Sequence, residues 1–190
     1  TTEIYTLSLH DALPICGGKQ MKYSRNIVLK NGKEACLRSA EASDAEAVME
    51  NFRSTHGETD YLLSYPDESR MDVEREQHFL EEKAQRDREA EIIVVVDGQV
   101  VGTAGIDAVG TRYKVRHRAE FGISVSQAYW GLGIGTALTE ACIACARAAG
   151  YAQLELTVVA DNRRAVALYE KEGFVRSEER RVGKECRSRW

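Results

Sequence analysis

The segment Ala119-Glu120-Phe121-Gly122-Ile123-Ser124-Val125 runs into Tyr129-Trp130-Gly131-Leu132-Gly133-Ile134-Gly135-Thr136-Ala137-Leu138, and no other stretch constrains the fold as much. The first part is rich in β-branched and aromatic residues and reads as a strand that ends at Ser126-Gln127. Three alternating glycines then remove side chains where a ligand would have to approach the backbone closely. The helix that follows opens with uncompensated N–H groups and the positive end of its dipole. Strand, glycine turn and helix together predict an α/β chain with an anion site, a pyrophosphate being the natural occupant. Two nucleotide motifs fail here. The dinucleotide fingerprint needs a glycine where Thr136 stands, and a P-loop needs a Lys-Ser/Thr pair after the last glycine.

A third pattern matches. Trp130-Gly131-Leu132-Gly133-Ile134-Gly135 resembles motif A of the GNAT superfamily of acetyl-CoA-dependent N-acetyltransferases, Gln/Arg-x-x-Gly-x-Gly/Ala. Trp130 departs from the usual Gln or Arg, which removes one polar or cationic contact to the cofactor and leaves the backbone cradle intact. Further along, Asn162-Arg163-Arg164-Ala165-Val166-Ala167-Leu168-Tyr169-Glu170-Lys171-Glu172-Gly173-Phe174 resembles motif B, Asn-x-x-Ala-x-x-Leu-Tyr-x-x-x-Gly-Phe, at every key position. The resemblance covers about Ala35 to Val175.

The resemblance implies a GNAT fold: a mixed, mostly antiparallel sheet, splayed in the middle, with helices on both faces. It implies acetyl-CoA as cosubstrate, lying in a wedge between the strands that end at Val125 and Val159. The backbone of Ile123 and Val125 would pair with the pantetheine arm, as a peptide adds to a strand edge. The amides of Gly131, Leu132, Gly133, Ile134, Gly135 and Thr136 would hold the pyrophosphate, and Asn162 would contact the cofactor arm. An attacking amine must lose a proton, and the departing thiolate gains from a proton donor. The motif places Tyr169 beside the sulfur as general acid; its blander role is a core aromatic. Glu120 sits where relatives carry a base acting through water, and it also reads as a solvated or paired strand carboxylate. A strand N–H would polarise the carbonyl. No metal and no nucleophilic cysteine is required. The implied reaction is acetyl transfer to a primary amine, on a small molecule or a protein, by direct attack in a ternary complex. The alternative is a CoA-binding regulatory module without turnover.

Composition agrees with such a chain. Its 190 residues suit one domain with a real core, and 43% apolar and 29% charged residues are ordinary for a soluble globule. A net charge of −4 speaks against a nucleic-acid partner and suits a cationic, amine-bearing one. No apolar run is long enough for a membrane span and no signal-peptide pattern opens the chain, so the expected compartment is the cytoplasm and the expected state a monomer or homodimer. Five cysteines are present, and Cys142-Ile143-Ala144-Cys145 has redox spacing but falls in the middle of a helix. Small apolar packing residues in a reducing compartment is the better reading. The cluster Arg112, Lys114, Arg116, His117 and Arg118 reads as a solvated hairpin loop.

Both ends look foreign. Leu9 to Ile15 can be encoded by CTACACGACGCTCTTCCGATC and Arg176 to Val182 by AGATCGGAAGAGCGTCGTGTA. Apart from one overhanging base at each end these strings are reverse complements, and they look like a short-read sequencing adapter. The expected organisation is therefore a non-native leader over 1–20, a natural domain over 21–175 that lacks its C-terminal part, and a non-native tail over 176–190. Sequencing the source DNA across both junctions tests this; natural codons unlike these strings would end the idea. Removing the leader takes away one basic and two acidic residues, and removing the tail six basic and three acidic, which leaves a net charge of −6. A domain stopping at Val175 should also show an unpaired sheet edge.

Between the ends, Ile27–Lys30 and Lys33–Arg38 flank Asn31-Gly32 as a hairpin. Ser43-Asp44-Ala45-Glu46 reads as a capping box for a helix from Asp44 to about Phe52. Arg53 to Ser69 reads as an irregular loop suited to acceptor specificity, with His56 as a solvated loop histidine. Asp72 to about Arg88 reads as a charged surface helix with Phe79 as an anchor. Ile92–Val96 and Val100–Ile106 form a strand pair around Asp97-Gly98, and a helix runs from about Gly133 to Ala149. Gln153–Val159 is a strand, Asp161-Asn162 caps a helix over Arg163–Glu172, and Phe174-Val175 starts a further strand.

Overall fold

The computed structural model describes residues 1–9, 22–62, 72–110 and 112–177. In chain order the elements are β1 (Thr2–Ser8), β2 (Ser24–Val28), β3 (Glu34–Ser39), α1 (Ala45–Glu58), α2 (Val73–Ala84) and β4 (Ala90–Val96). They continue with β5 (Gln99–Ala108), β6 (Arg118–Val125), α3 (Ile134–Ala148), β7 (Gln153–Val159), α4 (Arg163–Lys171) and β8 (Val175–Arg176). One eight-stranded sheet has the order β2-β3-β4-β5-β6-β7-β1-β8. Every neighbouring pair is antiparallel except β6 and β7, which run parallel. This is the mixed, mostly antiparallel α/β architecture expected.

The sheet is covered on both faces. Alternate residues of β4 show why. Ile92, Val94 and Val96 enter the main core with Leu138, Ala141 and Cys142 of α3. Ile93 on the other face joins a smaller core with Ala40, Ala45, Val48 and Leu80, beneath α1 and α2. A strand buried on both faces needs the unbroken apolar run that Ile92–Val96 supplies. The Asp97-Gly98 turn works through positive φ at both residues, 50° and 80°.

Four expectations change. Helix α1 continues past Phe52 to Glu58, because Asn51 and Thr55 are buried on its inner face and the Thr55 hydroxyl donates to the Asn51 carbonyl at 2.9 Å. The capping box before it lies two residues earlier than Ser43–Glu46, at Glu41 and Asp44. The Asp44 carboxylate accepts the Glu41 N–H at 2.8 Å and is gripped by both Arg38 Nη atoms at 2.6 and 2.7 Å. Arg38 therefore holds the Asp44 carboxyl below its ordinary value, with the Glu41 N–H helping against the cost of burial. Helix α2 begins as expected, with Asp72 accepting the Arg75 N–H at 2.9 Å. Its outer residues are exposed, as expected of a surface helix, but its inner face is not solvated: Leu80 is 1% exposed and Lys83 2%.

The fourth change is at the N-terminus. Thr2–Ser8, which shows no element by sequence, lies antiparallel between β7 and β8. Its alternation is simple, Tyr5, Leu7 and Leu9 all entering the main core. The β7 edge that a chain ending near Val175 should leave open is thus paired by β1. Residues 10–21 and 178–190, with most of the proposed adapter translation, lie outside the described residues.

Candidate active site

Strands β6 and β7 pair only over Arg118–Glu120 and Gln153–Glu155. Beyond that last rung β6 continues to Val125 and β7 to Val159 without pairing to each other, so the two strands diverge as expected. The wedge opens a cavity of about 830 Å³. Ile123 and Val125 line one wall, Leu156 and Val158 the other. Such a slot between two strand edges offers apolar walls and free main-chain groups to an extended ligand.

Tyr169 sits near the apex. Its ring meets Phe121, the first β6 residue beyond the last rung, edge-on at 5.8 Å and 87°. Phe174 packs against both rings at 5.8 and 5.9 Å. The sequence places Tyr169 there because Asn162 starts α4 by accepting the Ala165 N–H at 3.2 Å, which fixes the phase of the helix. Burial, with Cys142 adding to it, pushes the phenol well above its ordinary value, so it stays protonated through neutral and mildly alkaline pH. Tyr169 lines the cavity, and among the described residues its hydroxyl has no hydrogen-bond partner. It is a buried donor with its proton available.

The glycine turn is a second prepared feature. Gly131 and Gly133 have φ of 78° and 101°, in the left-handed region that side chains disfavour. Among the described residues, no N–H from Gly131 through Thr136 donates a hydrogen bond. Six consecutive free amides at the start of a fifteen-residue helix form an anion cradle. Gly131, Gly135, Trp130 and Asn162 line the cavity, whereas Leu132, Gly133, Ile134 and Thr136 contribute to the turn without lining it. The fit to a diphosphate is therefore good at the backbone, whatever stands at position 130.

Two site residues differ in detail from expectation. The Val125 carbonyl already accepts the indole N–H of Trp130 at 2.6 Å, which ties the strand end to the turn. Glu120 occupies the last rung, opposite Asp107 on β5 and Glu155 on β7. It is exposed and does not line the cavity, which begins one residue later.

The structure adds groups that no sequence spacing brings together. Lys83 on α2 reaches Glu91 on β4 and Asp107 on β5, each at 2.9 Å, with its Nζ 5.2 Å from the Phe79 ring centroid. Burial pulls the Lys83 ammonium down, but the two carboxylates outweigh it and hold it above its ordinary value. Burial pushes the Glu91 carboxyl up against the pull of Lys83. The ammonium, gripped from two sides, is the group that stays charged. Gly105 makes the approach possible: a Cβ there would lie 2.5 Å from Glu91 Oε2 and 3.0 Å from Lys83 Nζ. Lys83, Glu91 and Asp107 all line the cavity.

His56 also lines it, from the last turn of α1 rather than from a loop. Its ring lies on Phe52 with centroids 3.8 Å apart, and its Nδ1 is 2.8 Å from the Phe52 carbonyl. A carbonyl only accepts, so in the neutral ring Nδ1 carries the proton and Nε2 the lone pair. Burial lowers the pKa of His56, with the Phe52 carbonyl opposing. Cys142 and Cys145 are buried in α3, and burial pushes Cys145 up to about 11, so neither is a nucleophile at neutral pH. Among the described residues no group of three or more His, Cys, Asp or Glu side chains could hold a metal ion. No helix among them is long and apolar enough to cross a membrane.

Comparison with known proteins places this geometry. A family model described as "Acetyltransferase (GNAT) family" matches residues 48–174. The L-amino acid N-acetyltransferase AaaT of Escherichia coli (strain K12) is 32% identical over 146 residues, which cover 74% of this chain and 83% of that protein. The crystal structure of an acetyltransferase of the GNAT family from Streptococcus pneumoniae is similar with a TM-score of 0.71 and 32% identity, covering 74% of this chain and 84% of that one. A phosphinothricin acetyltransferase from Sinorhizobium meliloti, solved in complex with AcCoA, shares the fold with a TM-score of 0.62 at 23% identity, over 74% of this chain and 75% of its own.

Proposed function

We propose, from the premise that this chain belongs to the GNAT acetyltransferase family and is an acetyl-CoA-dependent N-acyltransferase, that it moves acetyl to the primary amine of a small amino-acid-like acceptor by direct attack in a ternary complex. The observation that carries the mechanism is the wedge itself, with a protonated buried Tyr169 near its apex and the Gly131–Thr136 turn, its amides free among the described residues, meeting it at Gly131 and Gly135. The acceptor class rests on the similarity to an L-amino acid N-acetyltransferase.

Each group has a task. The amides of Gly131 to Thr136 hold the diphosphate of acetyl-CoA, and Asn162 contacts its arm. Ile123 contributes main-chain groups along the strand edge; Val125 contributes its N–H side, its carbonyl being shared with Trp130. The amine nitrogen forms a bond to the thioester carbonyl carbon, and the carbon–sulfur bond breaks. Tyr169 gives its proton to the departing sulfur. The proton lost by the amine passes through water to Glu120, whose exposed carboxylate is hydrated and lies on the β6 face it shares with Gly122. Tyr169 and Glu120 then exchange the proton through solvent, so the cycle closes.

The acceptor reaches the wedge from the side of α1 and α2, where Phe52, His56 and the Lys83 group line the cavity. Thiol release from acetyl-CoA across a panel of L-amino acids and simple amines tests the reading. Turnover with at least one α-amino acid, reduced about a hundredfold or more in Tyr169→Phe with CoA binding unchanged, is the expected outcome. CoA binding with no turnover on any amine would instead indicate a regulatory module.

A further inference from the structure

Trp130 stands where the family pattern has a polar or cationic side chain, so the cradle should lack a cation. The structure supplies one from another element. Arg164, the second residue of α4, places its guanidinium carbon 5.5 Å from the Trp130 ring centroid. The ring cannot swing freely, because its indole N–H is bound to the Val125 carbonyl at 2.6 Å. The start of α4 is likewise fixed by the Asn162 cap. Trp130 and Arg164 both line the cavity beside Gly131 and Gly135. Among the described residues Arg164 has no carboxylate partner. An unpaired guanidinium, laid over an aromatic face, keeps its N–H edge free for a bidentate phosphate contact.

We propose that Arg164, seated on Trp130, is the cation that completes the diphosphate site at the Gly131–Thr136 cradle. The aromatic residue at position 130 is thereby a platform rather than a gap. This inference rests on the proposed binding of acetyl-CoA. It assigns Arg164 to the diphosphate and not to the 3′-phosphate of the cofactor. No bond is made or broken by Arg164; it binds and orients.

Calorimetry on the full chain tests it, with CoA, dephospho-CoA and pantetheine as the probes. Arg164 is exposed, so Arg164→Gln should keep the far-UV circular dichroism and melting temperature of the wild type. Arg164→Gln should weaken CoA and dephospho-CoA alike by about tenfold, since a hydrogen-bonded charge contact has that order of strength, and leave pantetheine unchanged. The salt dependence of CoA binding should become shallower. Arg164→Lys should restore part of the affinity, keeping the charge without the planar fork. In a Trp130→Leu background, Arg164→Gln should cost less than about threefold, because the platform is already gone. Wild-type affinity for CoA in Arg164→Gln overturns the inference. So does a loss confined to CoA, which would move Arg164 to the 3′-phosphate, and so does an equal loss for pantetheine, which would mean a structural effect. If the folded wild type binds none of the three probes, the acetyl-CoA reading fails, and this inference with it.

Discussion

Lys83→Met isolates the cost of the buried ion cluster that joins α2 to β4 and β5. The Lys83 side chain is 3% exposed, its Glu91 partner 16%, and Asp107 54%. Methionine restores most of the apolar stem, so the change removes the charge more than the packing. Asp107 can rehydrate; Glu91 cannot, and the penalty concentrates there. Breaking a buried pair from one side costs about 3–5 kcal/mol, and the exposure of Asp107 puts this case near about 3 kcal/mol. For a chain of this size that corresponds to a drop of about 6–12 °C in melting temperature. The pH dependence follows from Glu91. Burial already raises its folded pKa, and losing the ammonium raises it further. The native state then holds a proton that the unfolded state releases, so stability is present at low pH and lost as pH rises through the folded value. Urea unfolding at about pH 5 and about pH 8 should therefore show the larger loss at the higher pH. Adding Glu91→Gln should return much of it. A Lys83→Met protein within about 1 kcal/mol of wild type at about pH 8, with no pH dependence of the difference, would refute the reasoning.

Deleting residues 1–9 removes Tyr5, Leu7 and Leu9 from the core and bares the β7 edge; we expect a loss of at least about 4 kcal/mol in urea melts and faster aggregation by light scattering. Gly133→Ala forces a side chain to φ 101° with no steric neighbour, so a loss of about 1–2 kcal/mol from backbone strain, together with weaker CoA binding by calorimetry, is the expected pair of results. His56 has a lowered folded pKa, so the wild type should lose stability as pH falls through about 6.5 toward the folded value. His56→Gln should flatten that part of the stability–pH curve, read from melting temperatures.

The glycine turn and the helices beside the cavity were more legible in the sequence than the walls around them. Motif spacing within one strand–turn–helix unit is local: residues a few positions apart set φ, free N–H groups and helix phase. That is why, whereas the place of Tyr169 came from the resemblance to motif B, the glycine turn and the helix that starts at Asn162 could be read from residue order. The same holds for the strand pair about Asp97-Gly98 and for the stop at Gly150, where φ is 72°. Strand β1 was legible in principle, since Tyr5, Leu7 and Leu9 alternate, but so short a run, with Ile4 out of phase, does not declare a strand without the edge it covers.

Tertiary structure decided everything that depends on residues far apart in the chain meeting. Lys83, Glu91 and Asp107 belong to three elements, and only the stacking of α2 on the sheet turns an apparently solvated helix into one with a buried ammonium. Arg164 and Trp130 are separated by a helix and a strand, so no spacing rule links them. His56 faces the cavity because burial of Asn51 and Thr55 extends α1 by more than a turn. Local backbone preference writes the cradle into the residue order, whereas the charges that surround it are placed by packing, whose energy is gained only when distant surfaces close on one another.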